Sequence, residues 1–290
     1  MSANSRPAHG EHPTREALRM FARSPVAVVG FALLGAIVAL ALLGPMLMPA
    51  DPFDIVAAPL SPPSFQEALL GTDQQGRDVL TGIVHGGRAT LAVGLSAALV
   101  SVLIGITVGA IAGFFGGTID EILMRVTEFF QVLPALLFSM VLVTLFTPTL
   151  MTIALSIGAV SWTATARLTR AEFLKLKELD FVAAEHVIGA GKGRIIWGVI
   201  LPNALPPLIV SATFAIGTAI LFEASLSFLG LGDPNRMSWG LMIGSSRSYI
   251  LSSWWAVTFP GCMIFLTVLA VSLIGDGLND ALNPKLRERR

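Results

Sequence analysis

A strongly charged segment, residues 167–203, interrupts an otherwise apolar chain. It holds ten charged side chains and lies between long hydrophobic runs. A bilayer core cannot solvate such a segment, so it has to project into water. Its pattern is unusual for a connecting loop, because an amphipathic stretch, a glycine-rich turn and a second helical stretch precede Leu201-Pro202-Asn203. A structured helical projection of this kind predicts a surface that another protein grips, and therefore a membrane component driven by a separate subunit.

The composition requires a membrane protein. Hydrophobic residues make up 54% and charged residues 13% of the 290 residues, and the mean hydropathy is +0.75. Soluble domains are about 25% charged. The length accommodates about six helices of ~20 residues in one bundle, without a separate soluble domain. The 19 basic and 19 acidic residues cancel, so no nucleic-acid partner is implied. Cys262 is the single cysteine, which gives no basis for disulfides or thiolate metal sites.

Six apolar spans are predicted, and a polar N-terminal tail of residues 1–24 precedes the first. The first apolar run is longer than the hydrophobic region of a signal peptide, which indicates an uncleaved helix. The third and fourth spans are separated by Thr147-Pro148-Thr149, and Pro148 argues against fusing them into one helix. The predicted spans are Pro25–Leu47, Thr90–Phe114, Phe129–Phe146, Leu150–Ala166, Leu205–Leu229 and Ala256–Ile274.

The distribution of basic residues predicts the orientation of the chain. If the N-terminus is cytoplasmic, 15 of the 19 Lys and Arg residues fall on cytoplasmic segments, in agreement with the positive-inside rule. Both termini and the segment 167–203 are then expected in the cytoplasm, with a C-terminal tail of residues 276–290. Segments 49–88 and 230–255 are expected on the outer side.

Within the charged segment, Asp180–Ile188 is predicted to form a short helix. Phe181, Ala184 and Ile188 share one side at helical spacing, while Glu185 and its polar neighbours turn toward water or polar partners.

The segment after this helix is rich in glycine. Glycines at 189, 191 and 193 permit positive φ angles and are expected to break the helix. A second short helix is predicted over residues 194–201, and Pro202 is expected to set the fifth span off at an angle.

At these residues the chain resembles a known family. Ala183-Ala184-Glu185, Gly189 and Ile200-Leu201-Pro202 follow one another as in the "EAA" cytoplasmic loop of permease subunits of bacterial ABC importers. The chain departs from the family pattern in carrying Ala183 where Glu is usual and Glu185 where Ala is usual. This departure alters the polar contact that the usual Glu makes.

Further motifs narrow the resemblance to the dipeptide/oligopeptide/nickel branch and to its C-type permease, over about residues 20–288. These motifs are Leu70-Gly71-Thr72-Asp73, Gly76-Arg77-Asp78, Asp180-Phe181-Val182, residues 201–207, residues 223–232, Ser238-Trp239-Gly240 and residues 275–284.

The resemblance implies an all-α membrane protein with six transmembrane helices, a cytoplasmic coupling helix and the MetI-like permease fold of type I importers. In the family the loop docks in a groove of a cytoplasmic ATPase and transmits a rigid-body rotation to the membrane helices. The residues expected to act there as contacts or hinges are Phe181, Ala183, Ala184, Glu185 and Gly189. The implied partners are a homologous B-type permease, two cytoplasmic ABC ATPase subunits and an extracytoplasmic substrate-binding protein, all at the bacterial inner membrane.

Three glycines of the second span form a close-packing face. Gly105, Gly109 and Gly113 recur at four-residue spacing, so on a helix they share a side that lets a neighbouring backbone approach. Ordinary packing within the subunit is the favoured interpretation. Lining of the translocation seam is the alternative.

Glu223 is the one acidic residue in the middle or outer half of a span, and Ser227 lies one turn beyond it. An ionisable group there costs about 2.5–3.5 kcal/mol on insertion scales, so its presence requires a function. One hypothesis is that it faces a water-filled path and meets the amino terminus of a peptide. The favoured hypothesis is that it pairs with a hydroxyl or a base on a neighbouring helix and keeps an outer gate in register.

The run Gly189–Gly193 superficially suggests a phosphate-binding loop. A Walker A motif needs Ser or Thr after Gly-Lys, whereas Lys192 precedes Gly193 and no strand leads into the run. We expect no cofactor, no metal and no catalytic site in this chain. It is predicted to be a permease without its own ATPase, with ATP and Mg²⁺ used by the partner subunits.

The predicted function is a permease that forms, with a homologous permease, the path for dipeptides or oligopeptides. A nickel chelate, glutathione or another small solute is the alternative within this class. An ion-coupled secondary transporter would need intramembrane charges or broken helices in paired halves, and Glu223 is the only obvious candidate. A structural or assembly protein would not need the lever-like segment.

Overall fold

The computed structural model describes residues 19–282, and in this range every regular element is helical, with two isolated β-bridges in addition. The predicted tail of residues 1–24 therefore lies largely outside the described residues. The helices are α1 (Pro25–Leu47), α2 (Val79–Phe115), α3 (Gly117–Val132), α4 (Ala135–Leu145), α5 (Leu150–Ser161), α6 (Thr163–Leu176), α7 (Asp180–Val187), α8 (Lys192–Phe228), α9 (Trp239–Ser246) and α10 (Trp255–Leu282).

The apolar helices account for most of the predicted spans. Among the described residues, α1, α2, α8 and α10 are long and apolar enough to cross a membrane, and the bent pair α3 and α4 would provide a fifth crossing. The predicted fourth span corresponds to α5, which has 12 residues, and to the start of α6. α10 continues to Leu282, so the first residues of the predicted C-terminal tail are helical.

α2 begins at Val79, well before the predicted start of the second span at Thr90. Asp78 caps its first turn by accepting hydrogen bonds from the backbone amides at positions 80 and 81, as an N-terminal capping residue does. The first turns of α2 therefore occupy part of the segment 49–88 that was predicted to be an outer connection.

Polar side chains in this early part of α2 bind the backbone of α1. Arg88 Nε donates to the carbonyl of Ala41 at 2.8 Å, a carbonyl that lacks its usual helical donor because residue 45 is proline. The ring of His85 lies 2.9 Å from the carbonyl of Met48. The first turns of α2 are therefore tied to the end of α1.

α3 and α4 meet at an angle of 89°, so the single continuous third span predicted over Phe129–Phe146 is wrong. Pro134 separates the two helices, and Leu133 before it has a ψ of 131°. Proline disfavours the helical conformation of the residue that precedes it.

α8 is one helix, so the separate helix predicted over residues 194–201 is wrong. The turn Ile195–Ile200 is π-helical. This wider turn accommodates the ring of Pro202, which in a regular α-helix clashes with the carbonyl four residues earlier. Asn203 Nδ2 adds a hydrogen bond to the carbonyl of Val199 at 2.7 Å.

α2 is the central helix and packs against α1, α5, α6 and α8. Near its N-terminal end, Trp239 Nε1 of α9 donates to the carbonyl of Ile83 at 2.9 Å. Near its C-terminal end, the ring of Phe114 stacks on that of His186 of α7, with centroids 6.5 Å apart. Because α2 has 37 residues, it is about 55 Å long, and α9 and α7 lie near opposite ends of the bundle.

Candidate functional site

The first candidate site is α7, which confirms the helix predicted over Asp180–Ile188 to within one residue. Its C-terminal end is closed by two backbone hydrogen bonds, from Ala190 N to the carbonyl of Glu185 at 3.0 Å and from Gly189 N to that of His186 at 3.1 Å. This pair is a Schellman motif, which requires a left-handed residue, and Gly189 supplies it with a φ of 80°. The other two glycines of the run have no positive φ, so one glycine and not three ends the helix.

One side chain anchors α7 in the protein interior. Val182 is completely buried. It packs in a cluster with side chains from the end of α6 and from the start of α8, namely Phe173, Leu176, Ile195, Ile196 and Ile200 among others. Val182 was not among the predicted site residues. The sequence signal that could have identified it is an apolar side chain between the acidic Asp180 and Glu185.

The opposite side of α7 presents apolar side chains to the surroundings. Phe181 is 40%, Val187 87% and Ile188 72% exposed. Ala183 and Ala184 are also exposed. The predicted contact residues Phe181, Ala183 and Ala184 therefore lie on the accessible surface, together with Val187, which was not predicted to be a contact residue.

Polar contacts hold α7 against its neighbours. Glu185 is half-buried and its carboxylate lies 3.8 Å from Arg194 Nε of α8, so it faces this chain and not outward. Lys192 Nζ at the start of α8 lies 5.5 Å from the centroid of the Phe115 ring. Together with the stacking of His186 on Phe114, these contacts connect α7 to the end of α2 and to the start of α8.

The three predicted packing glycines all lie against α6 of the same chain. A Cβ atom added at Gly105 would lie 2.6 Å from Cβ of Thr165, one at Gly109 would lie 2.3 Å from the carbonyl oxygen of Ala166, and one at Gly113 would lie 2.7 Å from Cβ of Phe173. Such distances are too short for real Cβ contacts. The glycine face thus lets α2 pack closely against the helix that leads into α7.

The second candidate site is a buried cluster around Glu223, which is 1% exposed. Its Oε1 accepts hydrogen bonds from Ser227 Oγ at 2.8 Å and from Ser238 Oγ at 2.9 Å. The hydroxyl of Thr90 on α2 accepts a hydrogen bond from the amide of Trp239, next to Ser238, at 3.2 Å. The carboxylate of Glu223 therefore joins α8 to the start of α9, and Thr90 ties α9 to α2. The structure brings Glu223 and Ser227 together, whereas Thr90 and Ser238 were missed because they are distant in sequence.

The packing of α9 reinforces this junction. A Cβ atom added at Gly240 would lie 2.7 Å from Cα of Ala224, and one at Gly244 would lie 2.7 Å from the carbonyl oxygen of Ser227. Ser238 also caps α9 by accepting a hydrogen bond from Leu241 N at 3.1 Å. The Ser238 hydroxyl thus both begins α9 and ties it to α8.

Comparison with protein families gives two matches. Residues 105–288 match the family described as binding-protein-dependent transport system inner membrane component. Residues 12–63 match the N-terminal TM domain of oligopeptide transport permease C. The first match alone covers more than half of the chain.

Relatives among the known proteins match nearly the whole chain. The chain is 41% identical to the di/tripeptide transport system permease protein of Pseudomonas aeruginosa (strain UCBPP-PA14), over 95% of this chain and 93% of the relative. It is 42% identical to the dipeptide transport system permease protein of Escherichia coli (strain K12), over 95% and 94%. For the protein of the same description in Bacillus subtilis (strain 168), identity is 40% over 94% and 86%.

A solved structure supports the fold. A chain of the MetNI methionine ABC transporter in inward-facing conformations matches with a TM-score of 0.54 and 19% identity, covering 70% of this chain and 97% of that one. At this identity the likeness concerns the fold only.

The family matches, the relatives and the fold agree, and the chain belongs to the family of binding-protein-dependent transport system inner membrane components.

Proposed function

We propose that this chain is a permease subunit of an ATP-binding-cassette importer. With a homologous B-type permease it forms the path for dipeptides and other short peptides that an extracytoplasmic binding protein delivers. Identities of 40–42% to dipeptide and di/tripeptide permeases over nearly the whole chain support this substrate class.

The proposal includes a topology at the bacterial inner membrane. We assign six crossings, with α3 and α4 together as the third and α5 with the start of α6 as the fourth. Both termini and α7 lie in the cytoplasm, and α9 lies toward the outer side. The excess of basic residues on the segments so assigned to the cytoplasm supports this orientation.

One observation carries the proposal most directly: α7 is anchored within the chain and yet exposes apolar side chains. The buried side chain of Val182 fixes the helix to the rest of the chain, while the side chains of Val187 and Ile188 are largely exposed in the described part of the chain. Exposed apolar groups on a structured projection are typical of a protein contact. We assign this surface to the coupling helix, which docks on one of two cytoplasmic ATPase subunits. ATP and Mg²⁺ act on those subunits, and this chain is not itself an enzyme.

The contacts of α7 suit a lever. Its C-terminal end is closed by the Schellman motif at Gly189, and His186 stacks on Phe114 at the end of α2. After a short turn the chain continues as one helix from Lys192 to Phe228. A displacement of α7 by closing ATPases would therefore reach α2 and α8 as a rigid-body motion.

The test introduces a charge on the exposed side of α7. Ala184→Asp would place a carboxylate in the interface with the ATPase, and burying an unpaired charge is costly. We expect co-purification of the ATPase and peptide uptake into proteoliposomes with the partner subunits both to fall by about tenfold or more. Ala22→Asp is the matched control, since Ala22 is also an exposed alanine on a segment assigned to the cytoplasm but lies before α1 and outside α7. Unchanged ATPase binding and uptake with Ala184→Asp would contradict the proposal.

A further inference from the structure

A polar groove lies between α3 and α6, beside the elbow where the chain turns from α3 into α4. Its volume is about 670 Å³, within the range of small-molecule sites. Charged and polar side chains share its lining with three apolar ones: Thr127, Glu128, Gln131, Arg167 and Arg170, with Met124, Leu168 and Ala171.

Arg170 is not available to a ligand. Its Nε donates to Asp120 Oδ1 at 2.5 Å and its Nη2 donates to Oδ2 at 2.6 Å. This bidentate ion pair neutralises both groups and connects α3 to α6. It thereby forms a rigid wall of the groove.

Arg167 and Glu128 keep their charges uncompensated. Arg167 Nη1 donates to the neutral Oε1 of Gln131 at 2.9 Å, which leaves the rest of the guanidinium group to bind an anion. Across residues 19–282, neither Arg167 nor Glu128 takes part in an ion pair. The groove therefore offers one cation and one anion, on opposite walls.

Both charges lie on the cytoplasmic side of the bundle in the topology proposed above. Arg167 is on α6, which leads into α7, and Glu128 is on α3, whose first turn is ion-paired to Arg170 of α6. A pair of exposed, opposite charges on that side fits the inner mouth of a path for a solute that itself carries both charges.

We infer that this groove is a transient binding subsite for short zwitterionic peptides on their way to the cytoplasm. The guanidinium of Arg167 receives the C-terminal carboxylate, and the carboxylate of Glu128 receives the N-terminal ammonium. Every unmodified short peptide carries these two groups, so the subsite recognises the class. Met124 and Leu168 contact the variable side chains, and the flexible thioether of Met124 adapts to their shapes. This inference rests on the proposed function and adds a recognition element to it.

The test is equilibrium binding of radiolabelled alanylalanine to the complete permease and ATPase complex in nanodiscs, without the binding protein. We expect Arg167→Gln and Glu128→Gln each to weaken binding about tenfold or more, because each removes a charge-assisted hydrogen bond. The matched controls are Arg125→Gln and Glu121→Gln, which change exposed residues of α3 that do not line the groove. The controls are expected to bind as the unmodified complex does.

Blocked peptides assign each charge to one end of the ligand. Amidation of the peptide's C-terminus should weaken its binding to the unmodified complex but should hardly change its binding to the Arg167→Gln variant. Likewise, acetylation of the peptide's N-terminus should weaken binding to the unmodified complex but should hardly change binding to the Glu128→Gln variant. Such a cycle isolates the interaction between the two changed groups.

Several outcomes would overturn the inference. One is that the variants and the controls bind the peptide equally. A second is that the unmodified complex shows no saturable binding at millimolar peptide. A third is that the variants bind the peptide normally and differ from the unmodified complex only in retaining less anionic lipid. In each case, uptake of peptide by the unmodified complex with its binding protein would leave the proposed function intact. Failure of that complex to take up any peptide would instead contradict the proposed function.

Discussion

At the scale of single residues, the carboxylate of Glu223 joins two elements. Its Oε1 accepts hydrogen bonds from the hydroxyl groups of Ser227 on α8 and of Ser238 at the start of α9. Its Oε2 is buried without a hydrogen-bond partner in the structure. A hydrogen bond makes only a small net contribution to stability, but removing a buried acceptor leaves its donors unpaired. The loss of stability on removing this acceptor is therefore larger than the net contribution of its hydrogen bonds.

Removal of this acceptor should destabilise the junction. In Glu223→Ala the hydroxyls of Ser227 and Ser238 lose their acceptor, and we expect a loss of about 1–3 kcal/mol in the free energy of unfolding. Glu223→Gln retains a carbonyl oxygen and should lose less. Thermal unfolding followed by tryptophan fluorescence checks both, with Glu121→Ala as a control at an exposed glutamate. Equal melting temperatures for the Ala and Gln variants would show that the hydrogen bonds do not stabilise the junction.

A second residue-scale prediction concerns the end of α7. Gly189 has a φ of 80°, while Gly191 two positions later has a φ of −65°. A Cβ atom added at either position meets nothing within 4 Å. Gly189→Ala should therefore destabilise the end of α7 by about 1–2 kcal/mol through backbone strain alone, and Gly191→Ala should not.

Hydrogen exchange measured by mass spectrometry checks this pair of variants. The amides of Gly189 and Ala190 form the hydrogen bonds that close α7, so a peptide covering residues 186–192 should exchange faster in Gly189→Ala only. Equal exchange in the two variants would mean that the left-handed turn contributes nothing to the rigidity of α7.

At the scale of helices and loops, elements with local end signals were the predictable ones. α1 begins and ends as predicted, at Pro25 and Leu47, because Ser24 and Pro25 mark its start. The turn at Thr147-Pro148-Thr149 separates α4 from α5 as predicted, and Thr149 caps α5. The bend at Pro134 had an equally local signal and could have been predicted in the same way.

Contacts between distant parts of the chain were not predictable from the sequence. The early start of α2 had a local signal in its capping residue Asp78, but the contact of Arg88 with the carbonyl of Ala41 had none, because the pattern around Arg88 does not reveal an acceptor on another helix. The cluster around Glu223 was only partly predictable for the same reason. Glu223 itself was predicted to have a function, because inserting an acidic residue into a membrane is costly. Its partner Ser238 was not predicted, because it lies beyond a turn and belongs to another element.

The close packing of α2 and α6 gives an element-scale prediction. At Gly109, an added Cβ atom would lie 2.3 Å from the carbonyl oxygen of Ala166 and 2.6 Å from Cβ of Thr169. Gly109→Ala should therefore push the helices apart and cost about 1–3 kcal/mol in stability. Gly35→Ala in α1, where an added Cβ atom meets nothing within 4 Å, is the control. A melting temperature unchanged by Gly109→Ala would indicate that the two helices separate without cost.

At the scale of the whole molecule, α2 and α8 connect two distant sites. α2 contacts α9 near its start and α7 near its end, and α8 extends from Lys192 beside α7 to the turns that carry Glu223 and Ser227. Each helix has 37 residues, which is about 55 Å and exceeds the ~30 Å thickness of a bilayer core. Their ends must therefore extend beyond the hydrocarbon region, on both sides if the helices cross it centrally.

This arrangement predicts that the two ends of the bundle lie on opposite sides of the membrane. Cys262 is the only cysteine, so a Cys262→Ser background allows single labelling positions. We expect Phe65→Cys, at a side chain 97% exposed in the connection before α2, to react with a membrane-impermeant maleimide from outside intact cells. Ala184→Cys on α7 should react only in inverted vesicles, prepared from cells that lack the ATPase subunits so that α7 is not covered, because the basic residues around it favour the cytoplasm. Labelling of both positions from the same side would rule out the crossing of α2 and α8, and with it any transmission from α7 to the Glu223 junction across the bilayer.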